Sequence, residues 1–456
     1  MSVDRRQLPS VGPEVAVRFP GWTRTTLRSG LTLWTVTRSD VPLLTLMAIV
    51  PAGSASDPEG QEGLAALVAD LLDEGSGTRD AIAIHEALGR LGGQLETDAG
   101  YDSTSVVLAT LSRFLPDAAS LLADIVFRPR LDSADFERVR QLRCHRLQQM
   151  KDVPAALAER VVVGELFAGH PYGHLPIGTE ASLRALDTET VKDFHRRHYA
   201  LSGTLMIAVG DATHEEVADA LESAVADVER QGHTAYERLA PMAGATGERR
   251  LIIVDRPGAP QSELRVGHLA VNRASPDYHA LVVLNAVLGG QFVSRINLNL
   301  REDKGYTYGA RSGFDWRRAI GPFVVQTSVQ TDATAAATSE ILKEMQEILS
   351  VRPPTGQEIA LAQASLTRGY ARNFETLDQI VRALAQLAIY DLPESWYDDF
   401  VDHVRAVSEA DALTAGVRHI RPDAALVVVV GDAAQVRAGV EALGFASTRV
   451  VPSAVT

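Results

Sequence analysis

Cysteine is almost absent from this chain of 456 residues, which has only Cys144. No internal disulfide bond can form, and this is typical of a protein from a reducing compartment. The opening segment, MSVDRRQLPSVGPEV, has no apolar stretch of signal-peptide length, and no run of about 18 apolar residues occurs anywhere. We therefore expect a cytoplasmic protein that has no membrane partner.

Basic side chains are in the minority. The chain has 44 lysines and arginines against 58 aspartates and glutamates, a formal net charge of −14. An acidic surface repels phosphate groups, so the balance argues against nucleic acid or an anionic membrane as a partner. The hydrophobic content of 46% is that of an ordinary globular protein with a large core.

Runs of β-branched and aromatic residues are mixed with helix-like segments along the chain. Strands are predicted for VAVRF (15–19), LTLWTVTRSD (31–40) and LLTLMAIVPAG (43–53). Helices are predicted for residues 81–91, 114–127, 133–150 and 188–198. The two kinds of element do not alternate strictly, which favours an α+β fold over a doubly wound parallel sheet.

The chain also repeats itself. Residues 187–212 align without gaps to residues 408–433, and both His198/His419 and Asp211/Asp432 differ by 221 positions. A repeat of this length indicates two homologous halves. We predict a lead-in at residues 1–14, a first domain at 15–230, a polar linker at 231–248 and a second domain at 249–456.

One helix, within GLAALVADLLDEGSGT (63–78), organises the first half. Its apolar residues recur with helical spacing and predict a buried face: Leu64, Leu67, Val68, Leu71 and Leu72. Ala66, Ala69 and Asp70 lie on another face, close enough together to converge on one ion or substrate. Of these three side chains, only that of Asp70 can bind a metal or transfer a proton.

This helix resembles that of the pitrilysin/insulinase family of zinc peptidases, whose His-x-x-Glu-His motif follows Gly-Leu-Ala and precedes a Gly-Thr turn. The resemblance aligns Ala66, Ala69 and Asp70 with the first His, the Glu and the second His. It aligns Arg146 with the further zinc-binding Glu, where a cation would repel a metal. The resemblance therefore implies two α/β sandwich halves that form a half-shell of a clamshell peptidase, and a chain that binds no cofactor itself.

A second motif lies in GGQFVSRINLNLREDKGYTYGARSGF (289–314). It resembles the family pattern Leu-Arg-x-x-x-Gly-x-x-Tyr, in which an Arg and a Tyr reach toward the substrate carbonyl at the zinc. Arg301 and Tyr308 have the same spacing of seven residues. Without the resemblance, a surface arginine in a salt bridge and a half-buried strand tyrosine would be the better explanation of the two residues.

Together the two motifs imply a non-catalytic subunit of a heterodimeric zinc metallopeptidase. Its partner would be a homologous active subunit with an intact His-x-x-Glu-His motif, which binds the zinc, and its substrate a peptide or unfolded polypeptide. Two alternatives remain open: a structural subunit similar to the core proteins of respiratory complexes, and a homodimer that binds peptides without cleaving them.

Other candidate positions have structural interpretations. Glu96 and Thr97 align with an Asn-Ala pair that lies on a peptide-binding edge strand in active members, and we interpret them as structural. The pairs His195/His198 and His170/His174 have spacings that could hold a metal, but helix capping or packing explains them better. Cys144 has no catalytic partner in the sequence and is interpreted as a buried thiol.

Overall fold

The computed structural model describes residues 16–229, 232–236, 238–240, 242, 244–245 and 247–453. The predicted lead-in at 1–14 lies outside the described residues, as do six positions between 230 and 246. Within the described residues, no helix combines the length and apolarity that a bilayer span requires.

The first half contains eight strands and eight helices within the described residues. The strands are β1 (Thr23–Thr26), β2 (Thr32–Thr37), β3 (Leu43–Val50), β4 (Gly75–Ser76), β5 (Arg79–Asp80), β6 (Gln94–Ala99), β7 (Thr104–Leu111) and β8 (Leu205–Gly210). The helices are α1 (Leu64–Leu71), α2 (Ala81–Leu91), α3 (Leu115–Phe127), α4 (Ser133–Met150), α5 (Pro154–Leu166), α6 (Glu180–Ala185), α7 (Thr188–His198) and α8 (His214–Ala224).

The second half repeats this order in outline. Its strands are β9 (Arg250–Asp255), β10 (Gln261–Val271), β11 (Ala310–Phe314), β12 (Gly321–Gln330), β13 (Leu426–Gly431) and β14 (Ser447–Pro452). Its helices are α9 (Tyr278–Leu288), α10 (Arg295–Asn297), α11 (Thr334–Glu347), α12 (Gly356–Thr367), α13 (Leu377–Ile389), α14 (Trp396–Ala406), α15 (Glu409–His419) and α16 (Ala433–Glu441).

Each half is built on a sheet of six strands. The strand orders are β1-β2-β8-β3-β7-β6 and, read in the same direction, β14-β9-β13-β10-β12-β11. The repeat found in the sequence places β8 on β13 and α7 on α15, with the same bounds after a shift of 221 residues. Both β8 and β13 are buried along their whole length and pair with one parallel and one antiparallel neighbour. The predicted α+β fold with two homologous halves is confirmed.

The prediction of a strand at VAVRF (15–19) is wrong for the part that the structure describes, because residues 16–22 form no strand. Phe19 instead contacts the second half. Its ring packs edge-on against that of Phe374, with ring centres 5.1 Å apart, and at a tilt against that of Tyr397, with ring centres 4.9 Å apart. Its backbone N–H donates to Asp398 Oδ1 at 2.7 Å. The apolar alternation in this segment therefore serves a long-range contact rather than a strand.

One helix of each half packs against the sheet of the other half. Helix α5 of the first half packs against β10 and β13, and α13 of the second half packs against β3 and β8. The apolar side chains of α13 share one core cluster with Met47, Ile49 and Ile207 of the first sheet. Because the central strands β8 and β13 are buried on both faces, each half needs the helix of the other to cover its sheet.

A buried cation lies where the two halves meet. The side chain of Arg317 is 2% exposed, and its guanidinium lies 3.5 Å above the ring of Tyr101 from the first half. Nearby, Asp102 accepts hydrogen bonds from the Tyr172 hydroxyl and, at 3.1 Å, from the N–H of Arg318. These contacts fix the turn after β6 against the turn after β11.

Because each sheet is packed against a helix of the other half, we expect the two halves to unfold together. Leu384 is fully buried on α13, so Leu384→Ala removes packing from the sheet of the other half. We expect a loss of about 2–5 kcal/mol in the free energy of unfolding, with one transition in urea followed by circular dichroism and tryptophan fluorescence. Leu361→Ala, at a side chain that is 49% exposed, is the control. Two separate transitions, of which only one shifts, would contradict the prediction.

A buried neutral histidine predicts how stability depends on pH. His268 on β10 is fully buried; its Nε2 accepts from the N–H of Arg421 and its Nδ1 lies 3.0 Å from the carbonyl oxygen of Leu269. Burial lowers the pKa of His268 to about 4. The unfolded chain takes up this proton near pH 6.5 and the folded chain only near pH 4, so stability is lost as the pH falls through that window.

The measurement is urea unfolding between pH 7.5 and pH 4.5. We expect His268→Gln, whose amide matches the two hydrogen bonds, to reduce the slope of the unfolding free energy by up to about 1.4 kcal/mol per pH unit. His85→Gln, at an exposed position, should leave the slope unchanged. Equal slopes for the native chain and His268→Gln would contradict the assignment.

Candidate functional site

The helix that carries the predicted motif begins on a buried carboxylate. Asp57 Oδ2 accepts from the N–H of Gly63 and Asp57 Oδ1 from the N–H of Ala65, each at 2.7 Å. His174 Nε2 lies 3.0 Å from the same carboxylate, and burial raises the pKa of Asp57. The negative charge at the first turn of α1 satisfies backbone donors that would otherwise be left without partners.

A close backbone contact fixes the same helix end. Gly63 has a φ of +96°, and a Cβ atom added to it would lie only 2.9 Å from Cα of Gly178. Glycine is needed here both for the left-handed conformation and for the close approach. The Gly-Leu-Ala opening that the sequence shares with the zinc peptidases is therefore required by the packing of α1.

The three motif positions share α1 but differ in exposure. Ala66 and Ala69 are buried, at 7% and 2% exposed, whereas the carboxylate of Asp70 is 44% exposed. Arg143 Nη1 of α4 donates to Asp70 Oδ2 at 2.5 Å, and Arg143 Nη2 donates to the carbonyl oxygen of Pro176 at 3.0 Å. The carboxylate is thus neutralised by a guanidinium.

Arg146, which the sequence aligned with the further zinc ligand, is an exposed residue of α4. The residue that contacts Asp70 is Arg143, one helical turn earlier, and sequence reasoning missed it. The spacing alone pointed to position 146 and could not show which arginine of α4 turns toward α1. The signal available in the sequence is the spacing of Arg143, which lies four residues from both Val139 and Leu147 on the apolar face of that helix.

The residues at this face do not fit a zinc ion. Zinc in proteins needs imidazole, thiolate or carboxylate donors, and two of the aligned positions offer only methyl groups. The third already binds a guanidinium, whose positive charge repels a metal. In the part of the chain that the structure describes, no group of three or more His, Cys, Asp or Glu side chains could hold a metal ion.

The other histidines that have metal-like spacing contact protein groups. His195 Nε2 lies 2.9 Å from the carbonyl oxygen of Val126, its ring stacks on that of Tyr199, and burial lowers its pKa to about 4. His170 Nδ1 accepts from the N–H of Tyr172 at 3.1 Å. These contacts, and that of His174 with Asp57, give the histidines capping and packing roles.

The predicted arginine and tyrosine lie on either side of Gly305 in the second half. Arg301 belongs to a π-helical turn, Leu298–Asp303, of the kind often found at functional sites. Its side chain is 34% exposed, with Nε 3.3 Å from Glu302 Oε1. Tyr308 is 94% exposed and precedes β11 rather than belonging to it, so the half-buried strand position considered above is not what the structure shows.

One buried amide connects the segments that carry these two residues. Asn297 is 3% exposed; its Nδ2 donates to the carbonyl oxygen of Phe292 at 2.6 Å, and its Oδ1 accepts from the N–H of Ala310 at 3.0 Å. It therefore joins the loop before Arg301 to the strand that follows Tyr308. Sequence reasoning missed Asn297, whose only signal is a polar residue within the short run RINLNL.

The predicted edge position is indeed at a sheet edge. Strand β6 pairs only with β7 in its sheet, and Glu96 on it forms an ion pair with Arg382 of α13 at 2.7 Å. The hydroxyl of Thr97 is buried. At this strand Glu96 connects the two halves.

The geometry separates two chemistries. In the first half, the face of α1 that aligns with the zinc motif carries the ion pair of Asp70 and Arg143, and the second half displays the guanidinium of Arg301 and the phenol of Tyr308. Both contacts of Arg301, with Glu302 and with the ring of Phe292, lie within the second half. A guanidinium fork and a phenolic hydroxyl can donate hydrogen bonds to an oxygen that becomes negatively charged, but neither activates water.

Two family models match the chain, one described as insulinase (peptidase family M16) over residues 37–179 and one described as peptidase M16 inactive domain over residues 185–366. An uncharacterized zinc protease of Mycobacterium tuberculosis is 26% identical over 355 residues, which cover 77% of this chain and 80% of that protein. A probable mitochondrial-processing peptidase subunit beta of Arabidopsis thaliana is 23% identical over 58% of this chain and 50% of its own.

Among solved structures, the peptidase M16 inactive domain from Pseudomonas fluorescens superimposes with a TM-score of 0.84. It is 24% identical in sequence, and the match covers 90% of this chain and 98% of that one. The first model lies within the first half and contains α1, whereas the second begins before α7 of the first half, ends within α12 and contains the Arg301 segment; together they span most of the chain. The chain belongs to the insulinase (M16) family of peptidases.

Proposed function

We propose that this chain is the non-catalytic subunit of a heterodimeric zinc metallopeptidase. A homologous partner with an intact His-x-x-Glu-His motif binds the zinc, and this chain supplies Arg301 and Tyr308 to the substrate. The observation that carries the proposal is the contrast between the halves. On α1, the ion pair of Asp70 and Arg143 occupies the face that aligns with the zinc motif, whereas Tyr308 in the second half is 94% exposed.

The first half supports the proposal by the chemistry of its donors. Two methyl groups and a carboxylate bound to arginine cannot replace two imidazoles and a general base. The frame around them is nevertheless complete, with Asp57 at the helix start and the close contact of Gly63 with Gly178. A chain of this kind has the shape of a peptidase subunit and needs a partner for the metal.

The second half supports the proposal because the side chains of Arg301 and Tyr308 are accessible to solvent. Arg301 carries a permanent positive charge, and Tyr308 has a hydroxyl that solvent reaches from nearly all sides. When a peptide carbonyl is attacked by water, its oxygen becomes negative, and donors aimed at that oxygen stabilise the transition state. These residues would bind the substrate carbonyl, while the metal and the base remain in the partner.

The chemistry of the two donors indicates the substrate class, and the composition of the chain indicates the compartment. Arg301 and Tyr308 recognise a carbonyl group, which every peptide bond has, so the substrate class is a peptide or unfolded polypeptide. The single cysteine and the acidic balance agree with a cytoplasmic heterodimer. The name of the Arabidopsis relative describes that protein as a subunit, which agrees with a partner for this chain.

The proposal predicts the effect of removing the two donors. In a mixture of this chain with an active M16 homologue, we expect Arg301→Ala and Tyr308→Phe each to reduce kcat for a quenched-fluorescent peptide by about 100- to 1000-fold. That is the usual effect of removing one oxyanion donor. Because the donors act on charge that develops in the transition state, KM should change much less than kcat.

The matched control is Arg372→Ala, at an exposed arginine of the same half, which should leave kcat unchanged. Activity that does not depend on this chain, or that Arg301→Ala leaves intact, would contradict the proposal and favour the structural subunit. Peptide binding by the isolated chain, without a partner and without cleavage, would favour the peptide-binding homodimer.

The ion pair between Asp70 and Arg143 gives an independent prediction. Arg143 is only 10% exposed, so Asp70→Ala leaves its guanidinium with one carbonyl partner and should lower the free energy of unfolding by about 1–3 kcal/mol. Arg143→Met in the same chain removes the unpaired charge and should restore most of the loss. Asp227→Ala, at an exposed carboxylate, is the control. Urea unfolding measures all four chains, and a double variant less stable than Asp70→Ala would contradict a structural role for the pair.

A further inference from the structure

An exposed aromatic ring supports Arg301. Phe292 lies in the loop between α9 and α10, and its side chain is 61% exposed, which is unusual for a phenylalanine. The guanidinium carbon of Arg301 lies 4.4 Å from the centre of the Phe292 ring. This distance is that of a cation–π contact, in which the negative face of the ring attracts the guanidinium.

The kind of contact determines which donors of Arg301 remain available. A carboxylate pairs with arginine in the plane of the guanidinium and uses its N–H groups, as Glu358 does with the Nε and Nη2 of Arg295. An aromatic ring instead contacts the flat face, and the N–H donors at the edge stay free. The carboxylate close to Arg301 is that of Glu302, whose Oε1 lies 3.3 Å from Nε.

The backbone fixes the loop that carries the ring. A Cβ atom on Gly290 would lie 2.9 Å from the backbone oxygen of Asn285, so the close approach of the chain there favours glycine. The carbonyl group of Phe292 is then held by the amide of Asn297, which also holds the N–H of Ala310, two residues after Tyr308. The ring is therefore kept at a fixed place relative to both predicted donors.

We propose that Phe292 is a positioning residue: its ring holds the guanidinium of Arg301 by the flat face and directs the free N–H donors toward the substrate carbonyl. This inference rests on the proposed function for the use of the donors. The stacking itself is a property of the isolated chain, so the two parts can be tested separately.

The first experiment uses the isolated full-length chain labelled with 13C,15N-arginine, and Arg301→Lys identifies the resonances of Arg301. Stacking predicts that the Arg301 side-chain protons are shifted upfield by the ring current of Phe292. Phe292→Leu, which keeps an apolar side chain, should abolish the shift, and Phe292→Trp should keep or increase it. Val293→Ala, at an apolar neighbour that is 45% exposed, should leave it unchanged. A native chain without the shift would overturn the proposal.

The second experiment measures peptide hydrolysis by the mixture with the active homologue. We expect Phe292→Leu to lower kcat about three- to tenfold with little change in KM, because the loss concerns donors that act in the transition state. Phe292→Trp should retain native kcat within about twofold, a rescue that a general packing role would not give.

The outcomes distinguish the two proposals. If Arg301→Ala reduces kcat while Phe292→Leu does not, the positioning role is wrong and the proposed function stands. If neither variant affects activity but the ring-current shift is present, the proposed function is wrong, and with it the use of Phe292 for catalysis. A fall in the thermal midpoint of Phe292→Leu together with an unshifted kcat would also count against the positioning role.

Discussion

The reciprocal packing of α5 and α13 is the constraint on which the rest of the structure depends. Strands β8 and β13 are buried along their whole length, because both faces of each sheet are covered by helices. One of those covers comes from the opposite half in each case. The two halves therefore hold each other, and one packed body carries both the Ala66, Ala69 and Asp70 face of α1 and the segment of Arg301.

The frame of the zinc motif and its ligands obey different physical demands. Gly63 is required by its left-handed backbone and by the nearness of Gly178, and Asp57 is required by the free backbone donors of α1. These demands exist with or without zinc. The ligand positions carry no such demand: alanine packs at 66 and 69, and Arg143 compensates the charge of Asp70. A sequence can therefore keep the frame and lose the chemistry, which is why the frame alone indicates ancestry and not activity.

Much of the fold could be predicted from the sequence because its signals are local. The repeat gave the equivalence of β8 with β13 and of α7 with α15, since matching apolar runs fold alike wherever they occur. Segment 16–19 was misread, because an apolar alternation does not reveal whether its partner is a neighbouring strand or Phe374 in the other half. Arg143 and Asn297 were missed for the same reason: their partners lie 73 and 13 residues away, and only the folded chain brings them together.

The exposed aromatic residues of the second half are unfavourable for the free energy of folding. Phe292 and Tyr308 gain little by burial in this chain, and exposed rings favour association. The chain nevertheless devotes Gly290 and the buried amide of Asn297 to fixing the loop that carries Phe292. Ordering a loop around an exposed ring costs conformational entropy, which the hydrogen bonds of Asn297 and the contact of the ring with Arg301 offset within the chain. Under the proposed function, the N–H donors of Arg301 would in addition bind a peptide carbonyl held between this chain and a metal-bearing partner.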